Sequence, residues 1–283
     1  MITEPAPAKV NLALHVVGRR GDGYHLLETP VAFTGFGDTV RVESAERDTV
    51  TMDGPPIDGS NIVAAARDAL RARAGVSAPV AIRIAKRVPV AAGLGGGSAD
   101  AAATLRALRT LWRLALADAD LAAIAAPLGA DVPMCVLSRA AIARGVGDAL
   151  MPVEGGAAGM GLTGLGVVLA NPRVAVPTPA VFGALDRSDN APLPPVAGDP
   201  IAWLRACRND LEPPARTIAP AIGDVLATLA DGALLARMSG SGATCFALTP
   251  DAASAAAMAE RLAREHPGWF VTATRFEDRL PTE

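Results

Sequence analysis

Four glycines in five positions, set between an apolar run and an alanine-rich one, constrain this chain more than any other stretch. Residues Pro89 to Leu105 read PVAAGLGGGSADAAATL. The apolar, β-branched residues 79–88 before the loop predict a strand, and the run after it predicts a helix over roughly 98–112. Gly93, Gly95, Gly96 and Gly97 leave almost no side chains between the two, so a ligand can approach the backbone itself. Ser98 stands where an N-cap belongs, and the first N–H groups of a helix have no partner within it. Such a loop aims several donors and the positive end of the helix dipole at one point, which suits phosphate. A plain glycine turn joining strand to helix is the simpler alternative, but it needs fewer glycines.

Two familiar phosphate loops are excluded by the letters. A Walker A loop carries Lys and then Ser or Thr after its last glycine, whereas Gly97 is followed by Ser98 and Ala99. The dinucleotide fingerprint needs Gly or Ala three places after Gly95, where Ser98 stands, and no acidic ribose partner follows at a suitable distance.

Composition narrows the classes further. Of 283 residues, 51% are apolar and 19% charged, as in a globular protein with a large core. A net charge of −3 with interspersed signs lacks the basic footprint of a nucleic-acid binder. Cys135, Cys207 and Cys245 have neither zinc spacing nor a disulfide framework and read as reduced, packed thiols. Glu4 and Lys9 argue against a secretory signal. The best membrane candidate, Gly155 to Ala170, is glycine-rich, interrupted by Thr163 and shorter than the ~20 apolar residues of a spanning helix. It reads as a linker running into a buried strand. The expectation is a soluble, cytoplasmic protein with a small-molecule substrate and no nucleic-acid or membrane partner, as a monomer or weak homodimer.

Residues 8–17 alternate with period two. Val10, Leu12, Leu14 and Val16 form a core face; Lys9, Asn11, Ala13 and His15 form the other, which is either solvated or functional. The turn GRRGDG (18–23) presents Tyr24 and His25, which suit stacking on a planar ring. Strands are expected at 30–35, 39–44 and 48–53, the last two as a hairpin, then a helix from Asn61 to Arg73 and another over 118–126. Asp131 lies among Leu128, Gly129, Ala130, Val132 and Pro133. It either caps a helix or serves as a general base whose charge a nearby cation holds.

A further strand is expected at 138–147, and the boundary falls in the glycine-rich run, giving regions 1–157 and 158–283. The second region opens with strand 166–170, then a helix from Thr178 (cap) and Pro179 that presents Phe182. A loop at 186–200 precedes a helix holding Trp203 and the run Arg208 to Glu212. Gly240, Ser241 and Gly242 form a second small-residue turn where backbone can touch a ligand. A helix over 251–265 and a strand over 269–276 close the chain. Strands mixed with helices in this way make an α+β fold. A phosphate loop, a strand-borne lysine, an aspartate among apolar residues and a second glycine turn together suit phosphoryl transfer to a hydroxyl.

The stretch Pro89, Val90, Ala91, Ala92, Gly93, Leu94, Gly95, Gly96, Gly97, Ser98, Ala99 resembles the second motif of the GHMP kinase superfamily, and Ser239 to Ala243 its third. PAKVNL (7–12), GDGYH (21–25), GADVP (129–133), TPAVF (178–182) and NDLE (209–212) resemble one branch of it, from residue 7 to residue 244 overall. The resemblance implies a two-domain fold with a ribosomal-protein-S5-like N-terminal half, a ferredoxin-like C-terminal half and the active site in the cleft between. It implies ATP-dependent phosphorylation of the 2-hydroxyl of a cytidine-diphosphate-linked methylerythritol in the non-mevalonate isoprenoid pathway, with Mg²⁺. By the same resemblance, Asp131 is the base and Lys9 its charge partner. Residues 89–99 hold the ATP phosphates, with Ser98 near Mg²⁺. Tyr24, His25 and Phe182 hold cytosine, and Asn11 the substrate hydroxyl or phosphates; Asn61 and the loop 51–60 are candidates for the adenine side. Many members carry a serine where Ala99 stands, so the metal contact falls to Ser98 or to backbone. A sister enzyme acting on homoserine or mevalonate, or a nucleotide-binding regulator without turnover, are the rival readings; the first has no use for a cytosine slot and the second none for Lys9 and Asp131.

Overall fold

A computed structural model describes residues 1–53, 61–196 and 198–279. Along the chain run β1 (Ile2–Asn11), β2 (His15–Arg19), β3 (His25–Ser44), β4 (Thr49–Asp53), α1 (Ile62–Ala74), β5 (Val80–Ala85), α2 (Gly96–Leu111), α3 (Asp118–Ala125) and α4 (Val132–Leu137). Then come β6 (Ala141–Gly145), β7 (Ala149–Pro152), α5 (Gly156–Gly159), β8 (Gly166–Asn171), α6 (Thr178–Gly183), α7 (Pro200–Ala206) and α8 (Glu212–Ile218). The chain closes with α9 (Ala221–Ala230), β9 (Leu235–Met238), β10 (Cys245–Thr249), α10 (Ala252–Glu265) and β11 (Phe270–Arg275).

These elements form two compact units interleaved in sequence. The first contains residues 1–9, 36–90 and 95–138; the second contains 10–35, 91–94 and 139–283. The glycine loop is divided between them.

In the first unit, β5 is the inner strand. It pairs antiparallel with residues 39–44 of β3 and parallel with β4. The expected hairpin of 39–44 with 48–53 is therefore not formed. Val80, Ile82 and Ile84 are buried, whereas β4 is half-exposed and takes the edge. A parallel partner requires a crossover, and α1 supplies it. Asn61 caps α1, its side-chain oxygen accepting from the Val63 N–H at 3.0 Å. Residues Ala99 to Leu108 of α2 are all buried, including Asp100 and Arg106. Arg106 donates to Glu4 Oε2 at 3.0 Å and to the carbonyls of Pro5 at 2.6 Å and Cys135 at 2.8 Å. It thereby ties β1 and α4 to α2.

The second unit holds the antiparallel sheet β11-β8-β10-β9. Every residue of β8 and of β10 is buried. The apolar stretch that raised the membrane question thus ends as an inner strand, and no helix among the described residues is long and apolar enough to cross a membrane. α10 covers the sheet through Ala255, Met258 and Leu262 and is capped by Asp251. The three cysteines are buried free thiols. The unit also contains a smaller ladder in which β3 pairs with β2 and β6, and β6 with β7.

His15 is fully buried in the second unit, so the face of β1 and β2 that carries Lys9, Asn11 and His15 is not solvated. Its Nδ1 lies 3.0 Å from the Ala191 carbonyl, and Nε2 accepts from the Arg208 N–H at 3.1 Å. That arrangement requires the neutral ring, and burial holds its pKa below the usual 6.5. The run 208–212 was expected in a helix; instead Asn209 bridges Leu14 in parallel before α8 begins. A tertiary strand contact has overridden local helix propensity there.

Two stability measurements follow. Replacing the fully buried Arg106 by Met removes its bonds to Glu4 and to the Pro5 and Cys135 carbonyls, and should cost about 3–5 kcal/mol in urea unfolding. His15 binds its proton more readily in the unfolded chain, so it contributes stability above pH 6.5 that is lost as the pH falls through its lower folded value. Urea midpoints at about pH 8 and about pH 5 should show a smaller acid loss in His15→Gln than in the natural chain.

Candidate active site

In the first unit Lys9, near the end of β1, is only 6% exposed. Its stem lies across Gly95, whose φ of +65° is left-handed and whose missing Cβ would come within 2.8 Å of Lys9 Cγ. The Lys9 ammonium is 3.3 Å from Asp131 Oδ2. Asp131 precedes α4 but makes no side-chain capping bond, and its side chain is 37% exposed. The capping alternative is thus set aside. The carboxylate is also less enclosed than its apolar neighbours in sequence suggest. A pair with one partner in water contributes only ~0–1 kcal/mol to folding.

Gly95, not Ser98, is the N-cap of α2, and no side chain caps that end. The helix starts earlier than expected because only glycine takes the left-handed turn cheaply. Gly96, Gly97 and Ser98 make up its first turn, with N–H groups available to an anion. Ser98 is half-buried and carries the hydroxyl on that turn. Pro89 and Val90 lead into the loop in this unit, and Ala99 is buried in α2.

A charge cluster that the sequence reading missed lies just before the loop. Lys86 Nζ donates to Asp38 at 2.5 Å and to Asp100 at 2.8 Å. Asp38 Oδ1 also accepts the N–H groups of Arg87 and Val88, which fixes the chain entering the loop. Burial raises the Asp100 pKa to about 7, against the attraction of Lys86. Residues 38, 86 and 100 share no local spacing that could have linked them.

In the second unit Ala91, Ala92, Gly93 and Leu94 lie against the second glycine turn. A Cβ on Gly93, whose φ is +75°, would sit 2.7 Å from the Gly242 carbonyl and 2.8 Å from that of Ser239. Thr244 N–H donates to the Ala92 carbonyl at 3.2 Å, and Ser239 Oγ to that of Gly93 at 3.3 Å. The two glycine motifs, read separately in the sequence, are therefore packed backbone to backbone. Asn11 donates its N–H to Ser239 Oγ at 3.1 Å and its side-chain amide to Thr29 Oγ1 at 2.9 Å. Thr29 carried no signal in the sequence. Thr178 makes no cap for α6; its hydroxyl meets that of Ser241 at 2.7 Å.

His25 and Phe182 are brought together with ring centroids 5.1 Å apart and an interplanar angle of 24°. Burial, and then the charge on Arg19, hold His25 below the usual imidazole value. Near neutral pH its ring therefore presents one donor and one acceptor. Tyr24 is next in the chain but 63% exposed, with the Arg20 guanidinium 5.5 Å over its ring. Asn61 caps α1 in the first unit, and residues 54–60 of the proposed adenine loop lie outside the described residues.

Known proteins share this architecture. Models of the GHMP kinase N-terminal and C-terminal domains match residues 61–139 and 195–268. A curated 4-diphosphocytidyl-2-C-methyl-D-erythritol kinase of Chelativorans sp. is 50% identical over 98% of this chain and 96% of its own length. The protein of that name from Brucella melitensis is 51% identical over 95% and 93%. A crystal structure of a 4-(cytidine 5'-diphospho)-2C-methyl-D-erythritol kinase superposes with a TM-score of 0.82 at 36% identity, covering 97% of this chain and 99% of the other. The fold is the two-domain α+β fold of the GHMP kinases. This chain belongs to the GHMP kinases and, within them, to the family of 4-diphosphocytidyl-2-C-methyl-D-erythritol kinases, which are small-molecule kinases.

Proposed function

We propose that this chain transfers the γ-phosphoryl group of ATP to the 2-hydroxyl of 4-diphosphocytidyl-2-C-methyl-D-erythritol, in the non-mevalonate route to isoprenoid precursors. Relatives of that name at about half identity over nearly the whole chain support the substrate. The observation that most supports the mechanism is the 3.3 Å approach of Lys9 to Asp131 over the bare backbone of Gly95.

Asp131 accepts the proton of the 2-hydroxyl as the bond from that oxygen to the γ-phosphorus forms. The bond from phosphorus to the bridging oxygen breaks, and ADP leaves. Lys9 orients the carboxylate and offsets negative charge gathering around the transferred group. The N–H groups of Gly93 to Ser98 hold the phosphates in line, with Pro89 to Ala92 shaping the entrance and Ala99 anchoring the loop in α2. The turn Gly240, Ser241, Gly242 backs the loop. His25 reads the cytosine edge, with Phe182 and Tyr24 supplying stacking surface, and Asn11 lies toward the sugar-alcohol or its phosphates. Asn61 stands on the adenine side.

Among the described residues no group of three or more His, Cys, Asp or Glu could hold a metal. Mg²⁺ does not require such a group, since it keeps several waters and is held chiefly by substrate phosphates and one or two protein oxygens. Ser98 is the hydroxyl placed for that contact. Bound there, Mg²⁺ would supply charge neutralisation on the phosphates. We place the enzyme in the cytoplasm, as a monomer or weak homodimer without nucleic-acid or membrane partners.

Asp131→Asn preserves the shape and removes the base. With the cytidine substrate and ATP, product formation should fall by about 10²–10⁴-fold while ATP affinity, measured by titration, stays within about threefold. Full activity in that variant would remove Asp131 from the mechanism. Failure of the natural chain to phosphorylate the cytidine substrate would remove the substrate assignment.

A further inference from the structure

Asn209 belongs to a run that the reaction above leaves without a task. It is 6% exposed and uses both protons of its side-chain amide, donating to the carbonyls of Met238 at 2.8 Å and Gly240 at 2.9 Å. Its side-chain oxygen accepts the Leu211 N–H at 3.0 Å. The residue is itself held rigidly. Leu14 donates its N–H to the Arg208 carbonyl, and Asp210 donates to the Leu14 carbonyl, on either side of it. Arg237, buried, donates to the carbonyls of Leu12, Leu204 and Cys207 and pins the same segments.

The turn that Asn209 grips is the one against which Gly93 is seated. Gly240 has a φ of +57°, and Gly242 donates its N–H to the Ser239 carbonyl. The carbonyls of Ser239 and Gly242 fill the space where a Gly93 side chain would be. A shift of a few tenths of an ångström in the turn must move Gly93 as well, because backbone packed on backbone has no rotamer with which to adapt.

We propose that Asn209 is a positioning residue for the nucleotide: by bonding two carbonyls of the second glycine turn, it sets residues 91–94 of the phosphate loop. The inference rests on the assignment of that loop to ATP. Asn209 is buried, with both amide protons committed to backbone, and its effect reaches the loop through Met238, Gly240 and then Gly93. A residue that merely stabilised the fold would weaken both substrates alike. A positioning residue weakens ATP far more than the cytidine substrate, which the turn reaches only through the contact of Asn11 with Ser239.

The test uses the full chain with Asn209→Ala, which removes both donors, and Asn209→Ser, which keeps one. ATP affinity is measured by calorimetric titration with Mg²⁺ present. KM is measured separately for ATP and for the cytidine substrate, after ligand-free melting has confirmed folding. The expected result is about a tenfold loss of ATP affinity in Asn209→Ala, a smaller loss in Asn209→Ser, and a KM for the cytidine substrate within about twofold of the natural value. Should Asn209→Ala fail to fold, Asn209→Ser decides the question alone. Unchanged ATP affinity in an active enzyme, or equal losses for both substrates, overturns the role of Asn209 and leaves the kinase assignment standing. Absence of ATP binding in the natural chain overturns both.

Discussion

The close passage of the Lys9 stem over Gly95 governs the first unit's chemistry. A side chain at position 95 would collide with Lys9 Cγ, and a left-handed backbone there disfavours every residue but glycine. One glycine therefore does two things. It starts α2 with its N–H groups uncapped, and it leaves room for a lysine whose ammonium ends 3.3 Å from Asp131. The uncapped N–H groups proposed for phosphate and the ion pair proposed for proton transfer are thus set by the same few atoms. Stability does not explain the pair, because a half-exposed ion pair adds little to folding.

The large buried charges serve a different purpose. Arg106 and Arg237 are surrounded mainly by backbone carbonyls, with Glu4 the carboxylate beside Arg106. Each draws together segments distant in sequence, and each is costly to break because a buried guanidinium and the groups it bonds would have to find new partners. Lys86 does the same between Asp38 and Asp100, immediately before the loop. Flexibility in a glycine loop is useful to a ligand only if the ends are fixed, and this cluster fixes one of them.

Much of this was legible in local pattern. The loop, α2, α1 with its Asn61 cap, α10 with its Asp251 cap and the buried strand β8 all follow from periodicity, propensity and turn chemistry. The pairing of Lys9 with Asp131 was implied by the family resemblance; the residues alone asked only for some cation beside Asp131. What escaped depends on contacts between distant residues. Ser98 and Thr178 looked like caps, but Gly95 took the first position and Ser241 engaged the second hydroxyl. The strands 39–44 and 49–53 looked like a hairpin, yet β5 comes between them by way of the α1 crossover. Residues 8–17 looked like one alternating strand, but β1 ends at Asn11 and β2 begins at His15, and every residue from Ala8 to Val16 is buried, so the alternation did not separate a covered face from an open one. Asn209 looked helical and proved to be a bridge, because a partner at Leu14 outweighed its neighbours.

The central claim is that Lys9 and Asp131 act as one device in phosphoryl transfer. A double-substitution cycle on kcat tests it most directly, with Lys9→Met, Asp131→Asn and the two combined, assayed with ATP and the cytidine substrate. Residues that act as a unit lose their joint contribution once, so the double variant should be about as slow as the slower single one. If the two losses multiply instead, the residues work independently and the account of the site is wrong.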